Sequence, residues 1–318
     1  MPFPLLIPVV LGLASAALGA AGVKKGFDAK KDFEDAKDVG ERAQRKYSGA
    51  QQHLNQARED TQHQLEALGA IKLRVFEDQI GYLVNVLKKG RSQISGFETD
   101  IGLNREELRS FEGDVLKAAD VSMSLGSSAA AGAMAGMGAF GLVGSLATAS
   151  TGTAIASLSG VAATNATLAW LGGGSLAAGG MGMAAGTWVL GGVVAGPALA
   201  IGGFMLASKA EEALTEARAY QAKVEVACEE MQGVREVLAG IDRNIEEMQH
   251  TISQMVERFE QVKTNDIHDE HAMARMVQMG RALRELLNIP VIDAEGAAAQ
   301  DLHIRISGAR EIAGHEAS

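Results

Sequence analysis

Through the second half of the chain, apolar residues recur in alternating steps of three and four. The stripe reads Ala217, Tyr220, Val224, Ala227, Met231, Val234, Leu238, Ile241, Ile245, Met248, Ile252, Met255, Phe259 and Val262. That spacing puts all fourteen positions on one helix face, the pattern of a coiled-coil seam. Leu238, Ile241, Ile245, Met248 and Ile252 form its predicted core. Upstream, the same spacing gives Leu73, Phe76, Ile80, Leu83, Leu87, Gly90, Ile94, Phe97, Ile101, Asn104, Leu108, Phe111, Val115 and Ala118. Gly90 and Asn104 break the apolar rule there. Gly90, Gly96 and Gly102 weaken the helix and mark candidate bends. An earlier amphipathic segment over residues 27–68 stops near Gly69 in a different phase.

Between the two stripes the pattern disappears. From Asp120 to Lys209 lie 88 residues with no Asp, Glu, Lys, Arg or His, and they hold 20 of the chain's 38 glycines. Leu, Val, Ile, Met and Trp punctuate the run, which a flexible Gly/Ser linker would lack. About a quarter of the residues in an ordinary soluble domain are charged. At about 20 residues per span the run is long enough for two to four membrane crossings. Gly132/Gly136, Gly182/Gly186 and Gly192/Gly196 repeat the small-xxx-small spacing that lets helices approach closely in lipid. A small-residue helical core sheltered inside a bundle is the soluble alternative. Midway, Asn165, Trp170 and Gly172-Gly173-Gly174 have the features of a hairpin tip, with Trp170 suited to a membrane interface.

Residues 1–23 carry no charged side chain and Lys24, Lys25, Lys30 and Lys31 follow directly. The length suits a bilayer-spanning helix, and the trailing lysines place the next segment on the cytoplasmic side. A cleavable signal and a buried core helix are the other readings. The expected organisation is an anchor (1–23), a first helical stalk part (24–120), a Gly/Ala-rich head (121–208), a second stalk part (209–290) and a polar tail (291–318). Segments 27–68, 71–119 and 208–262 are similar in length, and short connections make successive helices antiparallel. The predicted fold is all-α: an elongated antiparallel coiled-coil bundle with a hydrophobic head and an N-terminal hydrophobic helix. A shorter helix, 267–287, ends before Pro290.

Composition narrows this picture. Five prolines and 4% aromatic residues disfavour a sandwich or barrel. One cysteine, Cys228, excludes an internal disulfide. A net charge of −10 disfavours nucleic acid as a partner. Residues 24–120 carry 17 basic and 18 acidic side chains, so most of the negative charge lies in the C-terminal part. There, Glu211/Glu212, Glu229/Glu230 and Glu246/Glu247 fit a solvated helix face or an acidic docking surface for a protein partner.

The residues give no support for catalysis. Gly136, Gly138 and Gly141 form a GxGxxG, but no acidic residue follows before Glu211 and no strand pattern precedes it. His268 and His271 share a helical spacing without an identifiable third ligand. No cofactor or metal is expected.

The plan of long helix, apolar hairpin and long helix resembles the α-helical pore-forming proteins of the cytolysin A and haemolysin BL type, and more loosely apolipoprotein L. The resemblance covers residues 24–290 and rests on architecture. It implies a hydrophobic head, here Val121 to Ser208, that is held against the bundle in a soluble form and moves into a membrane on assembly. Those heads are usually shorter, and an N-terminal anchor points to a resident membrane protein, in a bacterial inner membrane with the stalk cytoplasmic. The glycine pattern is also similar to that of membrane-perturbing glycine-zipper proteins. The expected function is non-enzymatic: the head forms a homo-oligomer that permeabilises or remodels a lipid bilayer, in a defence or toxin-like setting. The alternative is a membrane-anchored coiled-coil scaffold or tether.

Overall fold

The described helices bury apolar residues that recur along one face, most regularly from Ala217 to Phe259. The computed structural model describes residues 20–94, 97, 101–124, 134, 137–139, 210–293 and 296–314. The helices are α1 (Ala20–Val75), α2 (Gly81–Gln93), α3 (Arg105–Ser124), α4 (Ala210–Val262), α5 (Glu270–Asn288) and α6 (Leu302–Gly314). Among the described residues there is no strand, only one isolated antiparallel bridge between Ile292 and Ala298. The protein is all-α.

Two compact units divide the chain. The first comprises Met1–Ser48 and Gly196–Ala227, the second Gly49–Ala195 and Cys228–Ser318. In the first, Ala36 packs with Ala213 and Ala217, flanked by Val39 and Leu214. Small side chains at this seam let the two helices sit close. The Tyr220 hydroxyl donates to Gln44 Oε1 at 2.7 Å. Ala36 therefore pairs near 213 and Gln44 near 220, so the two helices run parallel here.

In the second unit, Gln79 donates to Glu260 at 2.9 Å and the Tyr82 hydroxyl to the Thr264 carbonyl at 3.3 Å. The Lys263 ammonium lies 4.5 Å from the centre of the Tyr82 ring. Leu238, Ile241, Ile245, Met248 and Ile252 are all buried, as are Met231, Val234, Met255 and Phe259. Val262, the last residue of the stripe, is half-buried. Burial of each such side chain favours folding by about 1.5–3 kcal/mol.

Two sequence expectations are corrected upstream. The first helical segment does not stop at Gly69. α1 runs through it to Val75, and a π-helical turn, Phe76–Ile80, joins it to α2 with helical dihedrals on both sides. The phase change that suggested a break is absorbed by this wider turn, which accommodates an extra residue while keeping Phe76 and Ile80 buried. The second correction concerns residues 71–119, expected as one helical segment with candidate bends at Gly90, Gly96 and Gly102. The helix ends at Gln93, where Ile94 turns extended (φ −122°, ψ 123°), and α3 begins only at Arg105. Gly102 takes a left-handed φ of +65° in the connection. Asn104, the polar break in the heptad pattern, accepts a 2.7 Å bond from the Glu107 amide and so caps α3. Lys88 pairs with Glu112, and Gly81 lies against Val115, so α2 and α3 are antiparallel. In the second unit, α2 and α3 thus form an antiparallel hairpin.

The C-terminal residues after Asn288 are packed. Val291 and Ile292 are buried, as an extended PVID piece packing after α5 would have them, and beyond them Ala299, Leu302, Ile306 and Ala309 are buried as well, where a polar tail is expected. Residues 291–299 form a small hairpin: Asp293 N–H donates to the Ala297 carbonyl at 2.9 Å, and Ala299 N–H to that of Val291 at 3.1 Å. α6 then docks beside α4, where Arg310 reaches Thr251 and His303 reaches Glu247.

Candidate functional site

The described start of the uncharged run lies inside the second unit. Met134, Met137 and Ala139 are buried. Met134 and Gly138 meet the α1 face that carries Leu65, Gly69 and Lys72. At this crossing two glycines face two carbonyls. A Cβ on Gly69 would overlap the Met134 carbonyl, and one on Gly138 would overlap the Leu65 carbonyl. Backbone lies against backbone, and only glycine leaves room on both sides.

Lys72 lies one turn along from Gly69 and is wholly buried. Its Nζ donates to the Gly138 carbonyl at 3.1 Å and to the Ile289 carbonyl at 3.2 Å. Among the described residues no carboxylate pairs with it. Burial alone pushes its ammonium down to about 7. The two acceptor segments also bond each other, Val291 N–H donating to the Ala139 carbonyl at 2.8 Å. Asn244 of α4 completes the junction, donating to the Val291 and Ala299 carbonyls, each at 3.0 Å. One lysine and one asparagine thus satisfy four carbonyls where α1, the uncharged run, α4 and the C-terminal hairpin meet.

Sequence reasoning missed this junction, although a signal for Lys72 exists. Extending the stripe Leu54, Thr61, Leu65, Leu68 by four residues places Lys72 on the core face. Nearby, Thr61 of α1 faces Asp242 of α4; burial pushes the Asp242 carboxyl up, the Thr61 hydroxyl opposes that, and Glu246 and Asp60 add to it. At the α3–α5 contact, Arg281 pairs with Glu107 and donates to the Gly102 carbonyl at 2.7 Å. Arg284 pairs with the buried Asp114 at 2.6 Å, its guanidinium 5.2 Å from the centre of the Phe111 ring. These are structural pairs that fix α5 on α3.

The Lys72 amine is enclosed, with both donors directed at backbone. Among the described residues, no three His, Cys, Asp or Glu side chains are grouped to hold a metal. His268 and His271 are exposed, and Asp269 between them caps α5 by accepting from the Ala272 amide at 2.9 Å. Cys228 is half-buried. Gln278, Arg281, Gly308, Glu311 and Ile312 line a wide-open groove of about 350 Å³ between α5 and α6. The glycines Gly132, Gly136, Gly182, Gly186, Gly192 and Gly196 lie outside the described residues, as do Asn165, Trp170, Gly172, Gly173 and Gly174.

Among the described residues no helix is long and apolar enough to cross a membrane. No protein-family model, curated protein or solved structure matches the chain.

Proposed function

We propose that the chain is a non-enzymatic membrane protein whose Gly/Ala-rich head, residues 121–208, oligomerises to permeabilise or remodel a lipid bilayer. One observation carries this reading: 88 consecutive residues without an ionisable side chain, punctuated by large apolar residues and set between long amphipathic helices. Such a run cannot coat an ordinary soluble surface, where about a quarter of residues are charged. The long helices act as a coiled-coil stalk, residues 1–23 as an anchor, and the glycine pairs as helix-packing surfaces in lipid. Burial of Met134, Met137 and Ala139 supports a resting form in which the front of the head is sheltered. A second reading, an anchored coiled-coil scaffold or tether, is favoured by the buried stripe along α4 from Met231 to Phe259.

Dye release from liposomes by the purified full chain separates the two. Helices gain no hydrophobic advantage by associating in lipid, so close packing at glycine has to supply the attraction. The double variant Gly192→Leu/Gly196→Leu fills the expected groove and makes the segment more apolar. Flotation should show binding held or raised, while crosslinked oligomer and leakage fall. Undiminished leakage from a well-bound variant overturns the glycine-packed assembly. Binding by the wild-type chain with no leakage at all favours the tether.

A further inference from the structure

Lys72 connects two segments that are far apart in sequence. Gly138 belongs to the uncharged run and Ile289 follows the end of α5, yet both carbonyls accept from one buried Nζ. The Val291–Ala139 bond and the Gly69–Gly138 crossing tie the same pieces together. Loss of the lysine's hold would therefore loosen both segments at once. We propose that Lys72 is a latch that holds the front of the uncharged run and the C-terminal hairpin against α1, and that acidification releases both together.

Chemistry and surroundings agree on the direction. A neutral amine has two N–H donors, and two carbonyls take them. Protonation adds a charge with which no carboxylate among the described residues pairs. Residues 121–208 contain no ionisable side chain. On the C-terminal hairpin, Asp293 is half-buried and its carboxylate accepts from the Ala297 amide at 2.8 Å. On α1, Arg74, Glu77 and Asp78 are exposed, while Glu66 is engaged by Gln62 and His63. On α5, Arg281 and Arg284 are held by Glu107 and Asp114 of α3, and Glu285 is exposed. On α4, the polar group at the junction is the neutral Asn244. Burial pushes the Lys72 ammonium down to about 7, so the latch changes charge in an ordinary pH range.

One other titrating group acts with the opposite sign. Burial pushes the Asp242 carboxyl up, so acidification neutralises it more readily in the folded protein, which cannot imitate an acid-driven release. The latch is a property of the bundle and stands apart from whether the head enters a bilayer.

Hydrogen exchange read by mass spectrometry on the full chain, corrected for the intrinsic pH dependence of exchange, tests it. Opening should be about tenfold greater at about pH 6 than at about pH 8, in peptides covering residues 137–139 and 289–299 alike. Lys72→Met removes the titrating group, and Lys72→Arg keeps a charge throughout. Both should lose the pH dependence, with opening raised at every pH. A Lys72→Met protein that keeps the tenfold change overturns the latch. If neither variant folds, the wild-type profile decides alone: opening unchanged with pH, or confined to one of the two segments, overturns it.

Discussion

At the α1 crossing, the smallest possible side chain should be destabilising. Gly69→Ala places a methyl group on the Met134 carbonyl, and Gly138→Ala places one on the Leu65 carbonyl. The obstacle in each case is backbone, which cannot swing aside as the end of a flexible side chain could. The two segments must separate, straining the Lys72 bonds to Gly138 and Ile289. Overpacking of this kind costs about 1–3 kcal/mol, against a helix-propensity gain of up to about 1 kcal/mol for glycine to alanine. The expected net is a loss of about 1–2 kcal/mol. Gly233, in the same unit on α4, is the control, since nothing lies within 4 Å of an added Cβ. Gly233→Ala should stabilise by about 0.4–1 kcal/mol. The double variant Gly69→Ala/Gly138→Ala should lose less than the sum of the two, because one separation relieves both overlaps. Urea unfolding followed by circular dichroism reads all four proteins. If Gly69→Ala matched Gly233→Ala in stability, the backbone crossing would be refuted.

Two further predictions concern the core. Ile245 is wholly buried and Glu246 beside it is exposed, so Ile245→Asp should unfold or dissociate the helices, whereas Glu246→Ala should shift the thermal midpoint little. Equal midpoints would contradict the assignment of the α4 stripe. Lys72 also makes global stability depend on pH. Its value of about 7 in the folded protein lies below the ordinary 10.5, so the unfolded chain binds more protons across that window. Stability should rise by up to about 1.4 kcal/mol per pH unit from about 7 upward and level off below it. Urea midpoints across that range check the slope, which Lys72→Met should remove.

The long helices were legible in the sequence because each carries many turns of one repeating pattern. The α4 stripe from Ala217 to Phe259 is buried at every position, and no single residue had to be read correctly for that face to be found. Boundaries were less legible, because glycine carries two opposite messages. Gly69 read as a stop and is a site of close approach within an unbroken helix. Gly90 read as a bend and does sit near one, with the Phe97 ring packed where its Cβ would be. Asn104 read as a flaw in a heptad and is a helix cap. Residues 296–314 read as polar because their buried positions are few and widely spaced, two of them the alanines Ala299 and Ala309. Burial of alanine leaves little hydrophobic signal to read, since the stabilisation scales with apolar area.

The Lys72 junction was illegible for a different reason. A lysine on an amphipathic helix reads as solvent-facing, and nothing local says that residues 138 and 289 come to meet it. Its place follows from a requirement that appears only after assembly. Where the uncharged run and the end of α5 pack on α1, the Gly138 and Ile289 carbonyls both accept from the Lys72 Nζ. An apolar side chain at 72 would remove a donor from each, at about 0.5–1.5 kcal/mol per bond. A carboxylate has no donor to offer, and serine or threonine is too short to span two segments. A long side chain that can shed its charge and keep two donors meets the need. The same property makes the junction depend on protons, so packing and pH sensitivity arise here from one choice of residue.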